Sequence, residues 1–253
     1  MKKMLLAISA ALMFSVAVAP AMAAEKTVKM SAAEKALMST LKKKYPSTQI
    51  EFVKKAPVGA LYEVVMGKNV AYTDKTAKYL VLGHIVDMAT QTDITQARID
   101  ELTKVDFAAL PTDKAIKIVK GNGMRTFAVF TDPDCPYCKR LEEGLKEIDN
   151  YTMYVFMFPV AQLHPEAEAH SNAIWCADDR AAAWKDFMLS NKLPATVKAN
   201  CQTPTQDVIA LGQSFGVQGT PTLFRVDGNR VPGALPPAQL NDWLNGKSIQ
   251  NGR

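Results

Sequence analysis

The chain has 253 residues, 48% of them hydrophobic and 22% charged, with a formal charge of +5. That is the composition of an ordinary folded protein with one large or two modest domains, and no low-complexity stretch or internal repeat argues otherwise. No Lys/Arg block is long enough to indicate nucleic-acid binding, and Lys42, Lys43 and Lys44 read as the solvated end of a helix.

Lys2 and Lys3 precede an apolar run from Met4 to Ala19, broken only by Ser9 and Ser15. Pro20 and then Ala21-Met22-Ala23 follow. Residues 1–23 therefore read as a secretory signal peptide cleaved after Ala23. A membrane anchor is the competing reading, for which the run is short.

Residues 24–90 read as a small α+β unit. Ser31 and Glu34 have capping-box spacing, and Leu37, Met38 and Leu41 give the following helix an apolar stripe that Pro46 ends. Short β-type runs follow at 50–53 and 61–66. Gly67-Lys68-Asn69 turns the chain back into 70–73, and a further strand is expected over 79–86. Residues 91–112 read as a linker, helical over 92–107, with Ile99, Leu102 and Val105 forming only a thin apolar seam.

From residue 113 to 253 the pattern changes. An apolar strand at 126–131 runs directly into Cys135-Pro136-Tyr137-Cys138. Leu141, Leu145 and Ile148 then recur at helical spacing, and 151–158 is a second near-continuous apolar strand. Such runs suit a sheet buried on both faces. Helices over about 165–189 and 204–215, a hairpin around Asp227-Gly228-Asn229 and a last helix at 238–244 complete the order of an α/β thioredoxin-like domain with a helical insertion.

Of the four cysteines, at least one pair is expected to carry chemistry. A thiol where a strand gives way to a helix faces unpaired N–H groups and the positive end of the helix dipole, which favour thiolate. Pro136 suits the first helical turn. Cys135 is thus the candidate nucleophile, expected to be open to solvent, and Cys138, one turn on and more buried, the resolving thiol. Asp132 and Asp134 either oppose the thiolate or cap the helix. Zinc would require a second close-spaced doublet, which Cys176, Cys201 and the three histidines do not supply. Neither metal nor cofactor is expected.

Cys176 and Cys201 remain as a pair flanking the helical insertion. Bridging them closes a loop of about 25 residues, worth ~3 kcal/mol in the chain-entropy model. A structural staple is the reading, and a second redox pair is the alternative. Thr220-Pro221 opens an apolar strand and is a candidate cis peptide beside the dithiol, although X–Pro bonds are ordinarily trans. His164 and His170 read as surface residues of the insertion, and Trp175 as core.

The stretches "FTDPDCPYCKRLE", "AIWCADDRAAAW", "ALGQSFGVQGTPTLF" and "VPGALPPAQL" closely resemble the periplasmic disulfide isomerases of the DsbC/DsbG family. The likeness covers essentially the whole chain after the signal and is most specific in its second half. It implies a periplasmic homodimer joined through N-terminal dimerisation domains, each arm ending in a thioredoxin-like domain. It also implies an uncharged cleft for misfolded disulfide-containing proteins, some chaperone capacity, and reduction by a membrane electron donor of the DsbD type. By the same resemblance Cys135 is the nucleophile, Cys138 the resolving thiol, Thr220-Pro221 a substrate-binding Thr–cis-Pro pair and Cys176–Cys201 a structural disulfide. Pro136 departs from the Gly that many DsbC proteins carry between the cysteines and matches DsbG. The rival readings are a monomeric thiol oxidase or reductase serving a dedicated pathway, or a DsbG-like chaperone.

Overall fold

The computed structural model describes residues 29–247 and residue 249. The signal-peptide reading of residues 1–23 lies outside them. Among the described residues no helix is long and apolar enough to cross a membrane.

The N-terminal unit begins with α1 (Ala32–Lys44), capped by Ser31 and Glu34 reciprocally and ending in Lys42, Lys43 and Lys44, which suit the negative end of the helix dipole. Its buried Leu37 and Leu41 pack with Val53 and Val64 on an antiparallel sheet. That sheet is built from β1 (Phe52–Lys55), β2 (Tyr62–Met66), β3 (Asn69–Thr73) and β4 (Leu80–Val81), in sequence order. The long strand expected over 79–86 does not form. Only Leu80 and Val81 pair with β3, and the chain then turns into a separate ribbon of β5 (Val86–Asp87) and β6 (Thr92–Asp93). Gly83, at φ +148°, sits at the break.

Helix α2 (Ile94–Leu102) is shorter than the expected helical stretch. It lies against the sheet. Tyr72 and Thr95 share a buried hydroxyl–hydroxyl hydrogen bond of 2.5 Å, and Ile99 and Leu102 pack beside Ala56 and Val70. Beyond it the chain reaches the second unit, where the Val105 N–H donates to the Gly228 carbonyl at 3.1 Å. Gly228 has φ +83°, and a Cβ there would sit 2.4 Å from the Val105 oxygen, so only glycine lets the two segments meet.

The second unit is a five-stranded sheet. Its strands are β7 (Ile116–Lys120), β8 (Arg125–Thr131), β9 (Tyr151–Met157), β10 (Thr222–Arg225) and β11 (Arg230–Pro232), in the spatial order β11-β10-β8-β9-β7. Strands β8 and β9 are parallel and the remaining neighbours antiparallel. The "IKIVK" of β7 escaped the sequence reading because Lys117 and Lys120 dilute the apolar signal. It is an edge strand, for which one wet face is normal.

Helices cover both faces. On one side lie α3 (Pro136–Leu145), α4 (Ala167–Trp175), α5 (Arg180–Ser190) and α7 (Pro237–Leu244), packing Leu141, Trp184, Leu240 and Trp243 on Phe127, Val129, Met153 and Leu223. On the other lies α6 (Thr205–Ser214), over Ala128, Phe130, Phe156 and Phe224. The period-2 alternation of β8 assigns Phe127 and Val129 to one core and Ala128 and Phe130 to the other. Gly212 lets α6 approach closely, since a Cβ there would meet the Phe158 ring at 2.5 Å.

One polar contact is buried in the larger core. The Trp184 indole N–H of α5 donates to the Glu142 carboxyl of α3 at 2.7 Å. Burial pushes the Glu142 carboxyl up to about 7, against the indole hydrogen bond and the nearby Lys185. A carboxyl with a raised folded pKa stabilises the fold while it keeps its proton. That contribution is lost as pH rises from the unfolded carboxyl value towards 7. Glu142→Gln keeps an acceptor for the indole and removes the charge. It should raise the unfolding midpoint at pH 8 by several degrees, on the order of 2 kcal/mol, and leave it nearly unchanged at pH 4.5. Thermal melts at the two pH values check this.

Candidate dithiol site

Parallel β8 and β9 deliver the segments that follow them to the same edge of the sheet. From β8 the chain turns through Asp132, Pro133 and Asp134 into Cys135, the N-cap of α3, with Pro136 in the first helical turn. From β9 it runs through Phe158, whose N–H donates to the Thr131 carbonyl at 2.7 Å, into the loop carrying His164. The loop before β10 supplies Thr220 and Pro221, joined by a cis peptide bond.

Both thiols are reduced. Cys138 is fully buried, with the Asp132 N–H 3.5 Å from its sulfur. Cys135 was expected to stand open at the helix tip. It keeps only 5% of its surface, packed in the larger core with the Thr220 carbonyl 3.5 Å from its sulfur.

The two sulfurs differ sharply in acidity. The Cys135 thiol falls from an ordinary 9.0 to about 5, chiefly through the hydrogen bond from the Cys138 thiol. The Cys138 and Tyr137 N–H groups and the Thr220 side chain add to this, and burial opposes it. The Thr220 carbonyl contact suits the protonated sulfur and works the other way. Cys138 is raised, first by burial and then by its partner sulfur. One dithiol thus holds an ionised sulfur and a protonated one at neutral pH.

The aspartates do not cap the helix. Asp132 is fully buried, and its carboxylate accepts from the Asp134 N–H (2.8 Å), the Val160 N–H (2.7 Å) and Nδ1 of His164 (2.9 Å). Its carbonyl accepts the Cys135 N–H at 3.2 Å. Asp134 pairs with Nδ1 of His170 at 2.9 Å, and that imidazole lies against the Phe187 ring. His164 and His170 are therefore half-buried partners of the dithiol turn and not the free surface residues the sequence suggested. The available signal was topological: loops after adjacent parallel strands leave the sheet together.

Cys176 and Cys201 form a disulfide with a Cα–Cα distance of 5.8 Å. Cys176 lies at the end of α4 in the larger core, remote in the chain from the dithiol.

Residues 28–96 match the family described as the disulfide bond isomerase protein N-terminal domain, and residues 112–247 match the thioredoxin-like domain. A protein of Bordetella avium described as a probable thiol:disulfide interchange protein DsbC is 40% identical over 201 residues, covering 79% of this chain and 71% of its own. The chain belongs to the DsbC family of thiol:disulfide interchange proteins. It is accordingly an enzyme, a thiol:disulfide oxidoreductase with disulfide isomerase/reductase activity. DsbC of Escherichia coli K12 is 28% identical over 195 residues, covering 76% of this chain and 80% of that one. Among solved structures, a disulfide interchange protein from Neisseria gonorrhoeae is 43% identical with a TM-score of 0.52, covering 54% of this chain and 97% of that one. The DsbC family thus accounts for both units of the chain.

The acidity of Cys135 has a direct readout. Its depressed pKa stabilises the reduced fold at high pH, and that stabilisation is lost as pH falls through about 5. Limiting iodoacetamide at pH 6 should label Cys135 and spare Cys138. The labelling rate should inflect near 5, as followed by mass spectrometry of the reduced chain.

Proposed function

We propose that Cys135 and Cys138 are the working dithiol of a periplasmic disulfide isomerase. The observation that carries this reading is the pairing of an acidic sulfur, at the start of α3, with a fully buried, protonated one. Cys135 thiolate attacks one sulfur of a wrong disulfide, forming a mixed disulfide and expelling the other substrate sulfur as thiolate. A substrate thiolate then attacks the mixed disulfide or a neighbouring one, the substrate disulfides rearrange, and Cys135 leaves as thiolate with no net change of redox state. If rearrangement stalls, Cys138 attacks Cys135. The substrate departs reduced and a Cys135–Cys138 disulfide remains. Two electrons from a membrane donor of the DsbD type would restore it.

Thr220, whose carbonyl lies 3.5 Å from the reacting sulfur, and the adjoining Pro221 are the natural support for an extended substrate segment. The Pro221 carbonyl is already taken by the Gly233 N–H at 2.7 Å, which leaves the main chain of Thr220 as the contact surface. The Cys176–Cys201 bridge then serves the fold, holding the region after α5 to the end of α4. Pro136 between the two cysteines would tune the balance of isomerase and reductase work.

The N-terminal unit supports a homodimer. Its edge strand β4 is two residues long and flanked by exposed apolar side chains, with Tyr79 62%, Leu82 74% and Met88 76% exposed. An unpaired apolar edge of this kind fits a second copy. Two linked dithiol domains would raise the effective concentration at which a misfolded protein is held, and chaperone capacity would follow from the same arrangement.

Replacing Cys135 by Ser should abolish reactivation of a scrambled multi-disulfide protein. Cys138→Ala should accumulate mixed disulfides through Cys135 on non-reducing gels. Activity surviving Cys135→Ser, or no trapped species with Cys138→Ala, would show that the roles are misassigned. Separately, Leu82→Asp combined with Met88→Lys should convert a dimer to a monomer in sedimentation. Isomerisation should then fall several-fold while simple dithiol reduction persists.

A further inference from the structure

We infer that His164 is a positioning residue for the reaction: as imidazolium, held on Asp132, it supports the Cys135 thiolate across the strand-to-helix turn. The inference rests on Cys135 being the attacking thiol.

The geometry is specific. His164 is 32 residues from Asp132 in sequence, yet its Nδ1 lies 2.9 Å from a carboxylate oxygen that is wholly removed from solvent. The same carboxylate holds the N–H of Val160 in the loop carrying His164 and that of Asp134 in the turn. The Asp132 main chain meets both cysteines, its carbonyl accepting the Cys135 backbone N–H and its N–H facing the Cys138 sulfur. One residue therefore fixes the imidazole and the dithiol to a common frame.

The other charged groups around the turn are accounted for. Asp134 is paired with His170 from α4. On α3, Lys139 reaches the Asn191 side chain and lies over the Phe187 ring, and Arg140 lies over the Tyr137 ring. On its own segment Glu166 is exposed. His164 and His170 both tie to the turn, and His164 is the one held on the fully buried carboxylate. Asp132 lies three residues before Cys135 and its carbonyl holds the Cys135 N–H, so its carboxylate would by itself discourage a thiolate, and an imidazolium bound to it offsets that charge. In agreement, the imidazole is raised above its ordinary value, first by its Asp132 hydrogen bond and further by negative charge at Cys135 and Asp134, with burial opposing.

Such a coupling is reciprocal: what the thiolate does to the imidazole, the imidazole does to the thiolate. The decisive test titrates the His164 ring by NMR in the full chain, once with the dithiol reduced and once with it oxidised. Its midpoint should be higher in the reduced form by about half a unit, the size expected of a charge acting across a partly wet site. His84, paired with Asp93 in the N-terminal unit, is the internal control and should not move. Equal His164 midpoints in the two forms would overturn the inference.

His164→Asn supplies the second arm. Its amide keeps a donor for Asp132 and removes the charge, so Cys135 alkylation at pH 5 should slow about two-fold, with the alkylation inflection moved up by about half a unit. Parental alkylation in His164→Asn, with slowing only in His164→Ala, would show a hydrogen-bonding role alone and would also overturn it. A Cys135 thiol that titrates like free cysteine in the unaltered chain would sink the nucleophile assignment itself, which the same alkylation curve reports separately.

Discussion

A carboxylate with no access to water anchors the dithiol end of the molecule. Taking Asp132 out of solvent costs several kcal/mol unless its oxygens are fully occupied, and here two N–H groups and an imidazole occupy them. Those three donors come from the turn before α3 and from the loop after β9. The carboxylate therefore cannot be satisfied unless β8 and β9 are in register and both loops are closed. Cys135 and Cys138 inherit their positions from that requirement. The sulfur chemistry is local, but its geometry is set by the sheet.

The division of labour between the sulfurs follows from depth. Cys138 is enclosed by the larger core and cannot ionise cheaply, so it serves as a hydrogen-bond donor to its neighbour. Cys135 sits one turn earlier, where the helix offers unpaired N–H groups, and takes the negative charge. Its exposure of only 5% trades accessibility for order. The Thr220 carbonyl, 3.5 Å away, occupies one side of that sulfur.

Much of this fold was legible in the amino-acid order, and the reasons are local. Phe127 to Phe130 form a run that only a doubly covered strand explains, and it stops where Cys135 begins a helix whose Leu141 and Leu145 recur at the right spacing. The Ser31–Glu34 cap is a short-range device, readable from two residues. What could not be read depends on distant partners. Strand β7 looks half polar because its other face is wet. The 79–86 strand breaks because an edge with only β3 beside it has little to hold it beyond Val81. The closed approach to Cys135 requires knowing where Thr220 lies, 85 residues away. The His164 and His170 pairings depend on which strands are parallel neighbours, which no single segment encodes.

The Cys176–Cys201 bridge poses a problem peculiar to a catalyst of this kind. A protein that opens disulfides carries one, and in an assembly of two copies it would meet its twin's as well. Sulfur attack needs a clear line along the bond being broken, and Cys176 is embedded among Ile174, Trp175 and Ala177 in the larger core. The bridge is thereby hidden from any incoming thiolate on that side. The half-buried Cys201 is the side left within reach, so the bridge's resistance to its own chemistry rests on how well the core encloses Cys176.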